Sequence, residues 1–262
     1  MSKVVVFDAG HSLVTAGKQT MNGKYGIVKE WTINDKVLRK AKEILERDYT
    51  GITIYRTDDV TGKSDISLNE RVRRCNSYNP ALFISFHHNA GGGTGTEVFW
   101  HTYGTAEDKK VASILAPKLA SKCGMRNRGV KQNQLGVLNC KATAILVEGG
   151  FMDTKSDYEY ICSDKGQQAY AEAVVETVVE YLGLAKKPVQ TQPSQPSTSS
   201  TFKAKIICDS LNIRKEASFD SKIMGTVKKG EVFTIVEEKN GLGKLKSGAG
   251  WISMGSKYVQ KM

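Results

Sequence analysis

A polar, proline-containing stretch near the C-terminal end divides this chain into two parts. Residues 186–201 read KKPVQTQPSQPSTSST and hold three of the chain's five prolines, with no aromatic and no acidic residue. Such a composition favours extended, solvated backbone over packed structure. We therefore predict a first domain over residues 1–185, a linker over residues 186–201 and a small second domain over residues 202–262.

The positive charge of the chain is concentrated in the second predicted domain. The 262 residues carry a net charge of +11, from 38 Lys and Arg against 27 Asp and Glu. Residues 1–185 contribute 24 basic and 21 acidic side chains, whereas residues 202–262 contribute 12 basic and 6 acidic ones. This balance suits binding to an anionic polymer, such as nucleic acid, a lipid surface or an acidic cell wall, although a solubilising surface would have the same composition.

Two of the broad protein classes are excluded at this stage. No apolar run approaches the roughly 18 residues that would suggest a membrane span, so we expect no membrane protein. A nucleic-acid-binding protein would combine its lysines with exposed aromatic side chains on one face. Only the C-terminal part is strongly basic here, so we expect no nucleic acid as a partner.

The beginning of the chain and its cysteines indicate where it folds. Four apolar residues, Val4–Phe7, end at Asp8, whereas a secretory signal needs an apolar region of about 7–15 residues. We therefore expect synthesis in the cytoplasm without a signal peptide. The five cysteines are odd in number and form no Cys-x-x-Cys motif, so we expect reduced thiols and neither a disulfide framework nor a zinc knuckle.

Strand-like and helix-like patterns alternate through the first predicted domain. The candidate strands are short apolar runs at Val4–Phe7, Ile52–Tyr55, Leu82–Phe86, Thr96–Trp100 and Ala144–Val147. Helical apolar periods begin at Ile33, Val111 and Tyr170, and Ser156 with Glu159 has the spacing of a capping box before a shorter helix. This alternation predicts an α/β fold with a mostly parallel sheet flanked by helices. In residues 202–262, short strand-like runs punctuated by glycines predict a small all-β barrel instead.

Candidate catalytic side chains follow the ends of three predicted strands. His11 follows the first strand, His87 ends the third, and Glu148 follows Ala144–Val147. Because the C-terminal ends of parallel strands meet at one edge of a sheet, we expect these side chains to converge, with Glu30 at the start of the first helix adding a second carboxylate.

Two histidines, one carboxylate and an open fourth position form the usual donor set of a catalytic zinc site. The remaining carboxylate would then act as a general base. Spacing alone leaves open which of Glu30 and Glu148 has which role, and hydrogen-bonded histidines beside a solvated glutamate are the alternative interpretation. Adjacent strand residues face opposite sides, so only one of His87 and His88 is expected at the metal. We expect His101 to be a surface residue.

These residues lie in segments that resemble, in the same order, the zinc-dependent N-acetylmuramoyl-L-alanine amidases of the type-3 family. The matching segments are Asp8–His11, Glu30–Asn34, Tyr55–Asp59, Leu68–Arg71, Ser85–Ala90, Val137–Leu138 and Leu146–Phe151. The resemblance covers residues 3–183. It implies cleavage of the amide between N-acetylmuramic acid and L-alanine in peptidoglycan, with Zn2+ as cofactor. It also implies that His11, Glu30 and His87 are the zinc ligands and Glu148 the catalytic carboxylate. His88 stands where the family often has a small residue.

The second predicted domain resembles the bacterial SH3-like domains of cell-wall enzymes. The matching segments are Leu211–Arg214, Gly225–Gly230, Gly250–Ile252 and Lys257–Val259. This resemblance implies binding to peptidoglycan or to its associated anionic polymers. Trp251 is either a platform on which the ligand stacks or a core residue.

We therefore expect a peptidoglycan hydrolase that acts on the cell wall after release. A phage endolysin fits the expected lack of a signal peptide, and an autolysin of the bacterium itself is the alternative. A different zinc hydrolase acting on peptidoglycan, such as a peptidase or a deacetylase, would use the same chemistry on another bond.

Overall fold

The computed structural model of the chain describes residues 2–188, 201–219 and 221–262. The chain divides into two compact units, Met1–Val189 and Gln190–Met262. The described start of the predicted linker is bound to the first unit, because the Lys187 amide donates to the Asp48 carbonyl over 2.7 Å and Lys186 forms a bridge with Tyr49. Residues 189–200 of the predicted linker lie outside the described residues. The domain boundaries stay predictions.

Over residues 2–188, the first unit forms a six-stranded sheet and five α-helices. In chain order the elements are β1 (Lys3–Ala9), α1 (Glu30–Asp48), β2 (Ile52–Arg56), α2 (Leu68–Ser77), β3 (Leu82–Asn89), β4 (Thr96–His101), α3 (Ala106–Cys123), β5 (Asn127–Asn133), a 3-10 turn (Gly136–Leu138), β6 (Ala144–Phe151), α4 (Lys155–Ile161) and α5 (Asp164–Leu182). All five predicted strands are present. Strand β5 has no continuous apolar run and was not predicted; its side chains are at most half-buried.

The sheet is mostly parallel, as predicted. Its strand order is β2-β1-β3-β6-β4-β5. Strands β1, β2, β3 and β6 run parallel, whereas β4 is antiparallel to β6 and parallel to β5. The C-terminal ends of β1, β3 and β6 therefore lie side by side at one edge, and the first residues of β4 join them there.

Helices cover both faces of the sheet. On one face, β1 residues Val5 and Phe7 pack with the apolar sides of α1, α3 and α5. On the other face, Val6 and Phe83 pack with Cys75 of α2 and with the 3-10 turn. Because successive strand residues point to opposite faces, each of β1 and β3 contributes alternate side chains to the two cores. This is why both strands read as continuous apolar runs.

Local signals explain where most helices begin and end. Helix α3 begins with a capping box between Thr105 and Asp108 and ends at Gly124, whose φ of 62° is in the left-handed region. The predicted capping box at Ser156 is wrong: α4 begins at Lys155, so Ser156 lies inside the helix. Among the residues that the structure describes, none of the helices has the length and apolar character needed to span a membrane.

The described residues of the second unit form a seven-stranded, entirely antiparallel sheet with its own core, as the glycine-punctuated pattern predicts. Its strands are β7 (Phe202–Ile206), β8 (Ser210–Arg214), β9 (Ile223–Lys228), β10 (Val232–Lys239), β11 (Leu242–Leu245), β12 (Trp251–Ser253) and β13 (Val259–Lys261), in the order β13-β7-β10-β11-β12-β8-β9. Ala204, Ile206, Ile235 and Ile252 are fully buried. Trp251 is 9% exposed, which favours the core interpretation of this residue.

Candidate active site

The predicted site residues come together at the edge where the parallel strands end. His11 lies two residues after β1, His87 lies in β3, and Glu148 is its direct neighbour in β6. Glu30 is the first residue of α1, and its side chain is buried between the two histidines. The structure therefore brings together the three side chains that the strand-end argument selects and Glu30 from the start of the first helix.

The backbone of the turn after β1 is shaped to present His11. His11 adopts a φ of 66°, a left-handed conformation that is uncommon outside glycine. The Arg71 guanidinium holds this turn, donating to the His11 carbonyl over 2.7 Å and to the Ala9 carbonyl over 2.9 Å. Gly10 packs directly against the His87 ring, and a Cβ atom here would lie 2.1 Å from His87 Cε1. Only glycine leaves room for the ring.

Three of these residues form a cluster with the donor set of a metal site. His11 Nε2 lies 3.3 Å from Glu30 Oε2, and His87 Nδ1 lies 3.2 Å from Glu30 Oε1. One potential ligand atom from each residue lies within 4.8 Å of the others. The two imidazole rings are nearly perpendicular, with centroids 4.9 Å apart.

The cluster contains an unpartnered buried oxygen that a cation would satisfy. Glu30 Oε2 is close to His11, but the pair lacks hydrogen-bond geometry, and the oxygen has no other partner. Burying a carboxylate oxygen without a partner costs free energy. A metal ion between the two imidazoles would remove this cost, so the residues present fit a zinc ion.

The protonation states of the cluster also suit metal binding. Burial would raise the pKa of Glu30, but the hydrogen bond from His87 and the charges of both histidines outweigh it and lower the pKa to about 2. Burial lowers the pKa of His11 to about 4. Burial acts in the same direction on His87, but its contact with Glu30 raises the pKa of His87 overall. Glu30 is thus ionised and His11 neutral at pH 7, which are the protonation states in which both side chains can bind a cation.

Glu148 has the properties of a group that exchanges protons. Its Oε2 is buried without a hydrogen-bond partner. Burial raises the pKa of the Glu148 carboxyl to about 8; the charges of Glu30 and Glu97 add to this shift, and that of His87 opposes it. A carboxyl whose pKa lies near the working pH can both accept and donate a proton.

The site opens into two adjoining cavities that share His11, Lys18 and His87. One, of about 640 Å³, extends over Glu148 towards β4 and is partly lined by Leu146. The other, of about 520 Å³, extends towards the start of α2. Together they form a cleft that can hold an extended substrate on both sides of the cluster.

The two remaining histidines lie outside the cluster: His88, the alternative to His87, and His101, which the sequence predicts to be a surface residue. His88 faces away from His87 and packs against the Tyr170 ring of α5. Burial lowers its pKa to about 4. His101 ends β4 and accepts a hydrogen bond from the amide of Tyr103 over 3.2 Å. The alternation of faces along β3 therefore selects His87, as the spacing predicts.

Several buried polar residues that support the site were not identified from the sequence. Asp8 accepts hydrogen bonds from Arg71, Thr57 and Ser85, with distances of 2.6–2.7 Å. Glu97 faces Glu148 across β4 and β6 and accepts from Asn89, Arg128 and Lys131. Asp8 and Ser85 are polar residues within otherwise apolar strand segments, and this is the one sequence pattern that could have marked them as buried supporting residues. Nothing in the sequence paired them with Arg71.

Comparisons with known proteins agree with this geometry. The profile of the N-acetylmuramoyl-L-alanine amidase family matches residues 5–180. The chain belongs to this family of amidases. The first unit is therefore a peptidoglycan amidase, as the resemblance implied. The bacterial SH3 domain profile matches residues 209–260.

Individual relatives of this amidase support both assignments. An endolysin of Bacillus phage SPP1 is 32% identical over 99% of this chain and 98% of its own length. A sporulation-specific N-acetylmuramoyl-L-alanine amidase of Bacillus subtilis is 28% identical over 84% of each chain. The crystal structure of an N-acetylmuramoyl-L-alanine amidase from Clostridium difficile 630 has a TM-score of 0.63 and 27% identity, covering 70% of this chain and 97% of that one.

Proposed function

We propose that this amidase is zinc-dependent and that His11, Glu30 and His87 hold the metal. The observation that carries the proposal is the convergence of three donors on a buried carboxylate oxygen, Glu30 Oε2, that has no hydrogen-bond partner. A zinc ion bound there would polarise the scissile carbonyl and lower the pKa of a bound water to about 7.

We assign the proton transfers to Glu148. In its ionised form the carboxylate accepts a proton from the attacking water. It then donates this proton to the amide nitrogen as the bond to N-acetylmuramic acid breaks, so L-alanine leaves with a free amino group. Burial supports this role, because it raises the pKa of Glu148 to about 8 and so brings both protonation states within reach near neutral pH.

A product analysis tests the reaction, and two variants test the roles. We expect digested peptidoglycan to gain free L-alanine amino groups and no new reducing ends, and a chelator should abolish the activity. New free amino groups on other residues would indicate a peptidase, and release of acetate a deacetylase. Glu148→Gln should be inactive while it binds one zinc ion per chain. Full activity in this variant, or unchanged zinc content in His11→Ala, would contradict the assignment.

We further propose that the second unit binds the anionic polymers of the wall through one lysine-rich strand face. Lys203 and Lys205 are exposed on β7, while Ala204 between them is buried. In the neighbouring strand β10, Lys205 lies opposite the exposed Val232, and Lys203 lies opposite the half-buried Thr234. The face is positive and open, as a polyanion-binding surface requires.

Charge reversal distinguishes this surface from a general effect of charge. We expect Lys203→Glu with Lys205→Glu to weaken binding to walls that retain their anionic polymers, and to have little effect on walls stripped of them. Lys222→Glu with Lys228→Glu is the matched control, since both lysines are exposed and belong to the opposite edge of the sheet, at or next to β9. Equal losses in both pairs would contradict a localised surface.

The biological role that we propose is that of a phage endolysin, which reaches the wall after release from the cytoplasm. The support is the Bacillus phage SPP1 endolysin, which aligns with both units over nearly the full length of each chain. An autolysin of the bacterium itself is the alternative, supported by the sporulation-specific relative. Lysis from within decides: expression together with a phage holin should lyse a Gram-positive host, and expression alone should not.

A further inference from the structure

The side chain of Asn34 contacts every segment that carries a proposed zinc ligand. Asn34 is fully buried in α1, one turn after Glu30. Its Nδ2 donates to the Gly10 carbonyl over 3.2 Å and to Glu30 Oε1 over 3.4 Å. Its Oδ1 lies 2.8 Å from Nδ1 of His88. Gly10 directly precedes His11 in the chain, and Glu30 is itself a proposed ligand. His88 directly follows His87.

The orientation of the Asn34 amide is determined by its neighbours. The Gly10 carbonyl and the Glu30 carboxylate are both acceptors, so the NH₂ group must face them. The opposite orientation would direct Oδ1 at two other oxygens. Oδ1 therefore faces His88, and because it can only accept, Nδ1 of His88 must carry the hydrogen. His88 thus fixes the amide in the orientation that serves the other two partners.

The same contacts determine which oxygen of Glu30 is available to a metal. Glu30 Oε1 accepts from the backbone amide of His88 over 3.1 Å and from Asn34 Nδ2. Glu30 Oε2 has no hydrogen-bond partner. Helix α1 and strand β3 thus both hold Oε1, and the carboxylate presents its other oxygen in a fixed direction. A ligand held in this way loses little freedom on binding a cation.

We propose that Asn34, held in place by His88, is a positioning residue that keeps the three ligand-bearing segments in the geometry for zinc. The inference rests on the proposed zinc site. Asn34 acts on the orientation of Glu30 and on the turn at Gly10, and His88 acts through Asn34. This gives His88, which stands where the family often has a small residue, a role without coordination.

The test is the zinc dissociation constant of the full chain, measured by competition with a chromophoric chelator. Asn34→Leu removes the amide at similar volume, and we expect it to weaken zinc binding 10–100-fold, as is usual for residues that support metal ligands. His88→Leu should weaken binding about tenfold. His88→Asn should stay within about threefold of the unsubstituted protein, because its side-chain NH₂ can take the place of Nδ1.

A matched control separates positioning from loss of stability. Gln167 is another buried amide side chain, and it donates to the carbonyls of Ile161 and Cys162 in α4 and at its end. Gln167→Leu should lower the melting temperature and leave the zinc affinity unchanged. The visible spectrum of the Co²⁺-loaded protein should change in Asn34→Leu and stay unchanged in Gln167→Leu.

The outcomes distinguish this inference from the proposed function. If the unsubstituted protein binds no zinc, the zinc site itself is wrong. If it binds zinc and Asn34→Leu binds it equally well, only the positioning role is wrong. If Asn34→Leu does not fold, His88→Leu and His88→Asn decide, and equal affinities in these two would overturn the inference. The double variant with Asn34→Leu and His88→Leu, where it folds, tests the link between the two residues. If His88→Leu lowers the zinc affinity of the Asn34→Leu protein as much as it lowers that of the unsubstituted protein, His88 does not act through Asn34.

Discussion

The buried pair of Asp8 and Arg71 gives the sharpest prediction for stability. Both side chains are at most 3% exposed, and the Arg71 Nη1 donates to Asp8 Oδ1 over 2.7 Å. Asp8→Asn keeps the shape of the side chain and removes its charge, so the buried guanidinium keeps its hydrogen bonds to backbone carbonyls but loses its buried counter-ion. Breaking a buried ion pair from one side typically costs about 3–5 kcal/mol. Asp65 lies 3.6 Å from Arg71 and is 43% exposed, so it compensates in part for the lost negative charge. We therefore expect Asp8→Asn to lower the free energy of unfolding by about 3 kcal/mol.

This loss should be visible in the thermal unfolding of the first unit. For a unit of this size, about 3 kcal/mol corresponds to a decrease of roughly 6–12 °C in melting temperature. Calorimetry on the full chain, in the presence of chelator, measures it without a contribution from bound metal. Asp164→Asn is the control: this aspartate pairs with Lys40 over 2.8 Å, but its side chain is 88% exposed. We expect that change to cost less than about 1 kcal/mol.

The pH dependence gives a second readout of the same pair. Burial alone would raise the pKa of Asp8, but the charge of Arg71 and the hydrogen bonds from Thr57, Ser85 and Arg71 lower it below its usual value of 3.8. A carboxyl with a lowered pKa stabilises the folded state above that value, and this contribution is lost as the pH falls through the folded-state pKa. The difference in free energy of unfolding between the unsubstituted protein and Asp8→Asn should therefore have its full value at pH 7 and become smaller below about pH 4. A difference under 1 kcal/mol at pH 7, or one that stays constant into acid, would refute the reasoning.

Three further predictions concern the metal site, the second unit and the cysteines. Gly10→Ala should weaken zinc binding by at least tenfold, because its Cβ would overlap the His87 ring; unchanged affinity in a titration would contradict this. Trp251→Ala should unfold the second unit and abolish wall binding together, because truncating a core aromatic costs about 3–5 kcal/mol and a unit of this size has a small stability margin. A variant that folds and fails to bind walls would instead make Trp251 a platform on which the ligand stacks. All five cysteines are free thiols, so a thiol-reactive dye on denatured protein should count five per chain.

The fold and the main site residues were predictable because their signals are local or follow from a general rule. Short apolar runs alternating with helical periods indicate a parallel sheet with two covered faces, and strands β1, β3 and β6 confirm it. The rule that parallel strands end at one edge then selects His11, His87 and Glu148 from the sequence alone. The start of helix α4 is predicted less well, because the spacing of Ser156 and Glu159 places the N-cap at Ser156, whereas the N-cap is Thr154, two residues earlier.

The supporting contacts were not predictable, because they join residues far apart in sequence. Arg71 reaches Asp8 across 63 positions, and Asn34 reaches His88 across 54. Neither pair has a local pattern that marks it. Strand β5 was missed for a related reason: its residues Asn127–Asn133 are polar, and it forms by pairing with β4 at the edge of the sheet.

The sequence by itself determined the two-part organisation, the location of the basic charge and the set of side chains that meet at the strand ends. These depend on composition and on periodicity, which act within a few residues. The tertiary structure decided which atoms of those side chains face the site and are available to bind a ligand. The face on which His87 lies, the direction of Glu30 Oε2 and the orientation of the Asn34 amide depend on strand register and helix packing, and a shift of one residue in β3 would exchange His87 and His88. Chemistry at this site therefore follows from packing among distant segments.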